Sequence, residues 1–313
     1  MSDFITATGA KLHYETTGDP ANMPLVLIHG QAMCGKDYAN VMETLVKNYA
    51  VYTVDCFGHG ESEKDPRLYN CALIGDAIAG LIEKEIGRPC LLSGHSSGGI
   101  LAAYVAGKIP RLIQGILLED PPFFKVEPGE FENTFVYKDG FEVTHKFLQQ
   151  NEEKEYLVYY LKNGYMFNYL GSRFFGGNWT EELAREAAEK LKERPGVIPK
   201  LNRVPKNSFH GFSYWDKFDT AFSESFYTGE WFDGVDQEAI LKSVKCPAVY
   251  LKAKTRYGKD GVLWAANSDI SAAHVMELLP KGQRITVRSG HDIHYENPKF
   301  FLKAIKRLEK AIQ

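Results

Sequence analysis

Gly94-His95-Ser96-Ser97-Gly98 sets a serine between two glycines, after the apolar run Cys90–Leu92 and before a helical stretch that opens at Ser97. A Gly-x-Ser-x-Gly turn between a strand and a helix holds its serine in a strained corner with the hydroxyl lifted toward solvent. The glycines are needed because a side chain would clash in so tight a turn, and the helix N-terminus behind it favours developing negative charge. A hydroxyl used as a nucleophile needs a base. Ser289-Gly290-His291-Asp292-Ile293-His294 supplies an imidazole on a short loop far along the chain, suited to act first as general base and then as general acid. The preceding Gly290 favours His291, with His294 the competing imidazole. His29-Gly30-Gln31 follows the apolar run Leu25–Ile28. The backbone N–H of Gln31, paired with that of Ser97, would form an oxyanion hole. The loop Asp55-Cys56-Phe57-Gly58-His59-Gly60-Glu61-Ser62 reads as a tight turn that shapes the mouth of the site, with no catalytic part.

The elements that must position these residues alternate. Phe4–Thr8 and Lys11–Thr16, split by Gly9, read as a hairpin. Leu25–Ile28, Val51–Val54, Cys90–Leu92 and Ile113–Leu118 are short, fully apolar runs that suit strands covered on both faces. Helical stretches lie between them, roughly 37–47, 71–85 and 97–107. The same alternation resumes late, with strands at Pro247–Lys252 and Arg284–Val287 and helices at 268–279 and 298–311. Apolar strands alternating with helices predict an α/β fold with a mostly parallel, doubly wound sheet and a β-hairpin start. From Pro121 to about Val235 the buried-strand pattern stops and helical spacing takes over, as in Glu181–Glu193. That segment holds 26 of the 40 aromatic residues, so it reads as an inserted helical cap, 121–235, on a core formed by 1–120 and 236–313.

Thirty-seven basic against forty acidic side chains give a net charge of −3, which offers no electrostatic footprint for nucleic acid or an anionic membrane. The five cysteines form no CxxC pair, which argues against a disulfide framework or a structural zinc. No basic and apolar leader opens the chain and no 18-residue apolar run crosses it, so a soluble cytoplasmic protein is expected. There is no G-x-x-x-x-G-K-[ST], no G-x-G-x-x-G opening a first helix and no H-E-x-x-H, so neither a cofactor nor a catalytic metal is expected.

The HG loop, the D-x-x-G-x-G-x-S loop, the G-x-S-x-G elbow and the terminal G-H loop, in this order across residues 29–291, resemble the α/β-hydrolase fold family. The resemblance implies Ser96 as nucleophile and His291 as base, with the 121–235 insertion as the cap. The family order is Ser, then Asp or Glu, then His. The Gly-x-x-Asp that usually follows the strand at 248–252 is replaced here by Ala253-Lys254-Thr255-Arg256. Three carboxylates therefore stay open as the acid. Asp120, after the strand that follows the elbow helix, matches the placement in haloalkane dehalogenases and zearalenone-lactone hydrolases. Asp260 is the alternative, and Glu119 the third. A serine rather than an aspartate at position 96 argues against dehalogenase or epoxide hydrolase chemistry. The implied activity is hydrolysis of a small, largely apolar ester or lactone beneath an aromatic lid. A C–C bond hydrolase, a cofactor-free perhydrolase and a non-catalytic ligand-binding protein on the same fold stay beside it. Oligomeric state has no signature in the sequence.

Overall fold

The computed structural model describes residues 2–204 and 209–313. Eight strands form one sheet: β1 (Ser2–Ile5), β2 (Lys11–Thr17), β3 (Met23–Ile28), β4 (Tyr49–Val54), β5 (Cys90–His95), β6 (Ile113–Glu119), β7 (Ala248–Ala253) and β8 (Gly282–Val287). Their spatial order is β1-β2-β4-β3-β5-β6-β7-β8. The β1–β2 and β2–β4 pairings are antiparallel and the rest are parallel. The apolar runs that lacked alternation became β3 to β7, which are covered on both faces as such composition requires.

Helices α1 (Ala39–Leu45), α2 (Cys71–Leu81) and α3 (Ser97–Lys108) fall between the first strands. The helix expected at 37–47 is shorter, because a separate 3₁₀ turn, Gly35–Tyr38, precedes α1. The one expected at 71–85 ends as α2 and continues into a widened turn, Ile82–Ile86. Asn70 starts α2 by accepting from the amides of Ala72 and Leu73, two of the donors a helix leaves unpaired.

Between β6 and β7 lie α4 (Glu142–Gln149), α5 (Tyr156–Asn163), α6 (Tyr165–Leu170), α7 (Trp179–Glu193), α8 (Ala221–Thr228) and α9 (Gln237–Ser243). After β7 come α10 (Asp269–Leu278), α11 (Ile293–Glu296) and α12 (Pro298–Ile312). Two apolar clusters cover the two faces of the sheet. A third is built wholly from residues 143–212, around Leu161, Phe167, Trp179, Leu183 and Phe212. Much of the aromatic richness of 121–235 is spent inside that segment or on its seam with the core, as in the Phe167–Trp179 and Phe141–Phe226 stacks. Among the described residues no helix is long and apolar enough to cross a membrane.

Candidate active site

The carboxyl ends of the parallel strands converge on one region. β5 ends at His95 and α3 starts at Ser97, so Ser96 alone makes the corner, with φ 54° and ψ −122°. That is a left-handed conformation that costs a non-glycine residue roughly 1–3 kcal/mol. The flanking glycines explain how the corner closes. A Cβ on Gly94 would lie 2.0 Å from the carbonyl oxygen of Gly98, and one on Gly98 would lie 2.4 Å from the carbonyl oxygens of Ile28 and His29. The Ser96 amide donates to the Glu119 carbonyl of β6 at 2.9 Å, and its own carbonyl accepts from Gly99 at 2.9 Å.

Directly after β6, Asp120 also has a positive φ, 44°. It is fully buried. Its amide donates to the Leu251 carbonyl at 2.8 Å, and its Oδ1 accepts from the Ala253 amide at 2.9 Å. Its Oδ2 lies 2.9 Å from His291 Nδ1. With Nδ1–H donating to Asp120, Nε2 is left as the nitrogen that can take a proton. Burial pushes the His291 pKa down, but the hydrogen bond to Asp120 and the Asp120 charge outweigh it, helped by Asp292 and Glu119, and carry it up to about 9. The His291 side chain keeps 40% exposure, and both it and Ser96 line one cavity.

The other two carboxylates go elsewhere. Asp260 is exposed; it accepts from the Tyr165 hydroxyl at 2.5 Å and the Val262 amide at 3.2 Å. Glu119 is fully buried and pairs with His294, whose backbone amide and Nδ1 lie 2.6 and 2.9 Å from Oε1. His294 Nε2 lies 3.0 Å from Asp37 Oδ2, and Asp37 Oδ1 is 2.8 Å from His210 Nε2. Although burial opposes it, Glu119 and Asp37 hold His294 protonated well above the ordinary histidine range. Burial likewise opposes ionisation of Asp37, but His294 and His210 hold its carboxyl well below the usual carboxylate range. Asp37 and His210 carried no local sequence signal, since their partners lie far along the chain. Asp37, His95 and His294 bring donor atoms within 4.8 Å of one another. An imidazolium between two carboxylates accounts for His294, and the His95 pKa is pushed down to about 3 by burial and by His291, so that ring stays neutral.

Two further histidines hold the loop after β3. His29 donates from Nδ1 to the Gly30 carbonyl at 2.7 Å and accepts at Nε2 from the Cys56 amide at 2.9 Å. His59 donates from Nδ1 to the Phe57 carbonyl at 3.0 Å and accepts at Nε2 from the Ala32 amide at 3.0 Å. Burial lowers both pKa values, so both rings are neutral and each uses one nitrogen as donor and one as acceptor. Asp55 fixes the neighbouring loop by accepting from the amides of Gly35 at 2.7 Å and Glu61 at 2.9 Å. Gln31 is thereby set beside the elbow. A Cβ on the adjoining Gly30 would lie 3.0 Å from the Ser96 Cβ. The Gln31 side-chain amide donates to Ser223 of α8 at 2.6 Å, tying this loop to the helices between β6 and β7.

The cavity measures about 510 Å³, within the range of small-molecule sites. Gln31, Met33, Ser96, Ser97 and His291 line it, together with Phe135, Tyr156, Tyr160, Phe212, Trp215 and Phe226 from the stretch between β6 and β7. A minority of the rings in 121–235 thus line the cavity that Ser96 also lines.

Comparison with known proteins gives three findings. The profile of the alpha/beta hydrolase family matches residues 25–304. Among curated proteins, a pimeloyl-[acyl-carrier protein] methyl ester esterase of Stenotrophomonas maltophilia is 30% identical over 129 residues, which are 39% of this chain and 47% of that protein. An sn-1-specific diacylglycerol lipase of Danio rerio is 30% identical over 118 residues, 37% of each chain. The chain thus spans about half the length, or less, of the curated relatives it matches. Among solved structures, a thermophilic esterase from Thermogutta terrifontis superposes with a TM-score of 0.65 at 18% identity, over 99% of this chain and 98% of that one. An esterase from a Rhodococcus species gives 0.65 at 19%, over 100% and 99%. These structural likenesses bear on the fold.

Proposed function

The chain belongs to the alpha/beta hydrolase family, and from that premise we propose that it is a serine carboxylesterase for a small, largely apolar ester or lactone, with Ser96, His291 and Asp120 as its catalytic triad. The observation that carries this reading is the 2.9 Å bond from His291 to Asp120, on the cavity that Ser96 enters from its strained corner.

In this mechanism His291 Nε2 takes the Ser96 proton as Oγ attacks the acyl carbon. Asp120 fixes the imidazole tautomer and stabilises the imidazolium that forms. The backbone N–H groups of Gln31 and Ser97 receive the oxyanion, a contribution worth about 10²–10³ in rate per donor. His291 then protonates the leaving alcohol. The resulting acyl-Ser96 is hydrolysed by a water that His291 activates, and the proton returns to release the serine. Residues 121–235 act as the cap, excluding water and lending aromatic surface to the acyl chain. No cofactor enters any step.

A series of p-nitrophenyl esters from acetate to octanoate tests this. Turnover is expected, with kcat/KM rising with chain length until the cavity is filled. Absence of turnover across the whole series would remove the esterase reading.

A further inference from the structure

Asp139 is a second polar centre on the same cavity. It sits in the widened turn Tyr137–Phe141 of the insertion, is only 8% exposed, and lines the cavity. The Tyr160 hydroxyl donates to its Oδ2 at 2.5 Å and the Met166 amide to its Oδ1 at 2.7 Å. Burial pushes its carboxyl up to about 6 against these two bonds, and no charged neighbour contributes among the described residues. A carboxylate has about four acceptor positions, so a phenol and one amide leave it under-used in a desolvated place.

Its surroundings are aromatic. Trp215 lies 4.7 Å from the Tyr160 ring, 4.8 Å from Tyr156 and 5.7 Å from Phe212, and all four line the cavity. Aromatic rings beside a buried carboxylate that has no counter-cation among the described residues are the chemistry that takes an ammonium. The rest of the lining agrees. The lining holds the carboxyls of Asp139, Asp292 and Glu296, one guanidinium, Arg256, and the imidazoles of His95 and His291. A chain ending in a methyl group would leave Asp139 desolvated and uncompensated; one ending in an ammonium would supply the missing charge.

We propose that Asp139, with the ring faces of Tyr156, Tyr160 and Trp215, forms a binding subsite for an alkylammonium group, so that the preferred substrate is an apolar acyl compound whose chain ends in an amine. The inference builds on the hydrolase reading given above for Ser96.

The test pairs p-nitrophenyl hexanoate with p-nitrophenyl 6-aminohexanoate at pH 8, for the wild type and Asp139→Asn, the latter keeping groups able to meet Tyr160 and Met166. The ratio of kcat/KM, amino over neutral, is expected to fall about tenfold in Asp139→Asn, with the hexanoate rate held within about threefold. An unchanged ratio overturns the subsite. A parallel loss on both esters also overturns it, because Asp139 would then only support α6. Binding is read separately in Ser96→Ala by calorimetry with hexylamine and hexan-1-ol. Hexylamine is expected to bind about tenfold tighter, and to lose that advantage when Asp139→Asn is added. Equal binding of the two overturns the subsite whatever the ester rates. Preferential hexylamine binding by a protein that cleaves no ester would uphold the subsite and remove the hydrolase reading instead.

Discussion

Two histidine–carboxylate pairs meet at the end of β6, and they differ in one respect that matters. Glu119 and Asp120 are neighbours, and their partners His294 and His291 are three residues apart. In both pairs the nitrogen lies 2.9 Å from the carboxylate oxygen, and in both the imidazole is held protonated above its ordinary range. Residue types, distances and direction of pKa shift do not separate them. Access does. His294 has no exposure, and both its ring nitrogens are taken, one by Glu119 and the other by Asp37. His291 is 40% exposed and lines the cavity, and among the described residues only its Nδ1 is engaged. A free ring nitrogen facing a cavity distinguishes the candidate base from a sealed ion pair.

The widest gap between the two pairs is expected on replacing the histidines or the serine. Ser96→Ala or His291→Ala should lower kcat by about 10⁶ in a protein that still folds, as measured by esterase rate alongside thermal melting. His294→Ala should instead act on folding, because it strands Glu119 as an uncompensated buried charge and leaves Asp37 with His210 alone. Equal loss of activity per folded molecule in the His291 and His294 variants would erase the distinction.

The carboxylates sharpen it next. Asp120→Asn should cost about 10⁴ in kcat with the melting transition little changed, since the wrong tautomer of His291 would then be held. Glu119→Gln should cost roughly 3–5 kcal/mol of stability, read from a lower urea midpoint, with less than a tenfold change in kcat of the folded fraction.

A subtler difference lies in pH dependence. Protonated His291 cannot accept the Ser96 proton, so kcat/KM should rise with pH along a limb displaced from the ordinary 6.5 toward about 9. Asp120→Asn should move that limb back down, because Asp120 is what favours the imidazolium. The sealed pair shows up in stability instead. His294, with its raised folded pKa, contributes fully below 6.5 and loses that contribution as pH rises through the folded value. Melting curves across alkaline pH should show that loss, and Glu119→Gln should reduce it. The smallest effect is expected at the exposed Asp260, where Asp260→Asn should leave kcat/KM within about twofold; a loss near that of Asp120→Asn would move the acid to position 260.

Much of this was legible in the sequence. The glycines around Ser96 mark a corner that only a strand-to-helix turn needs, and apolar runs without alternation mark strands buried on both faces. The acid was not legible, because Asp120 and Asp260 both sit on loops after strands and only the fold decides which reaches His291. A finer signal lay in the Glu119-Asp120 doublet. Two adjacent carboxylates at the end of a strand meet two imidazoles three residues apart, one for each. That pairing matches the doublet to the two histidines of Gly290–His294. Asp37, His210 and Asp139 left no such mark. Each is a single polar residue whose meaning comes from partners that folding brings to it.

Activation of Ser96 by His291 is tested most directly by mass spectrometry of the protein treated with a fluorophosphonate probe. One phosphonate per chain, mapped to Ser96 and formed far more slowly in His291→Ala but not in folded Glu119→Gln, is the predicted result. Labelling at another residue, or labelling of Ser96 at an unchanged rate without His291, would contradict it.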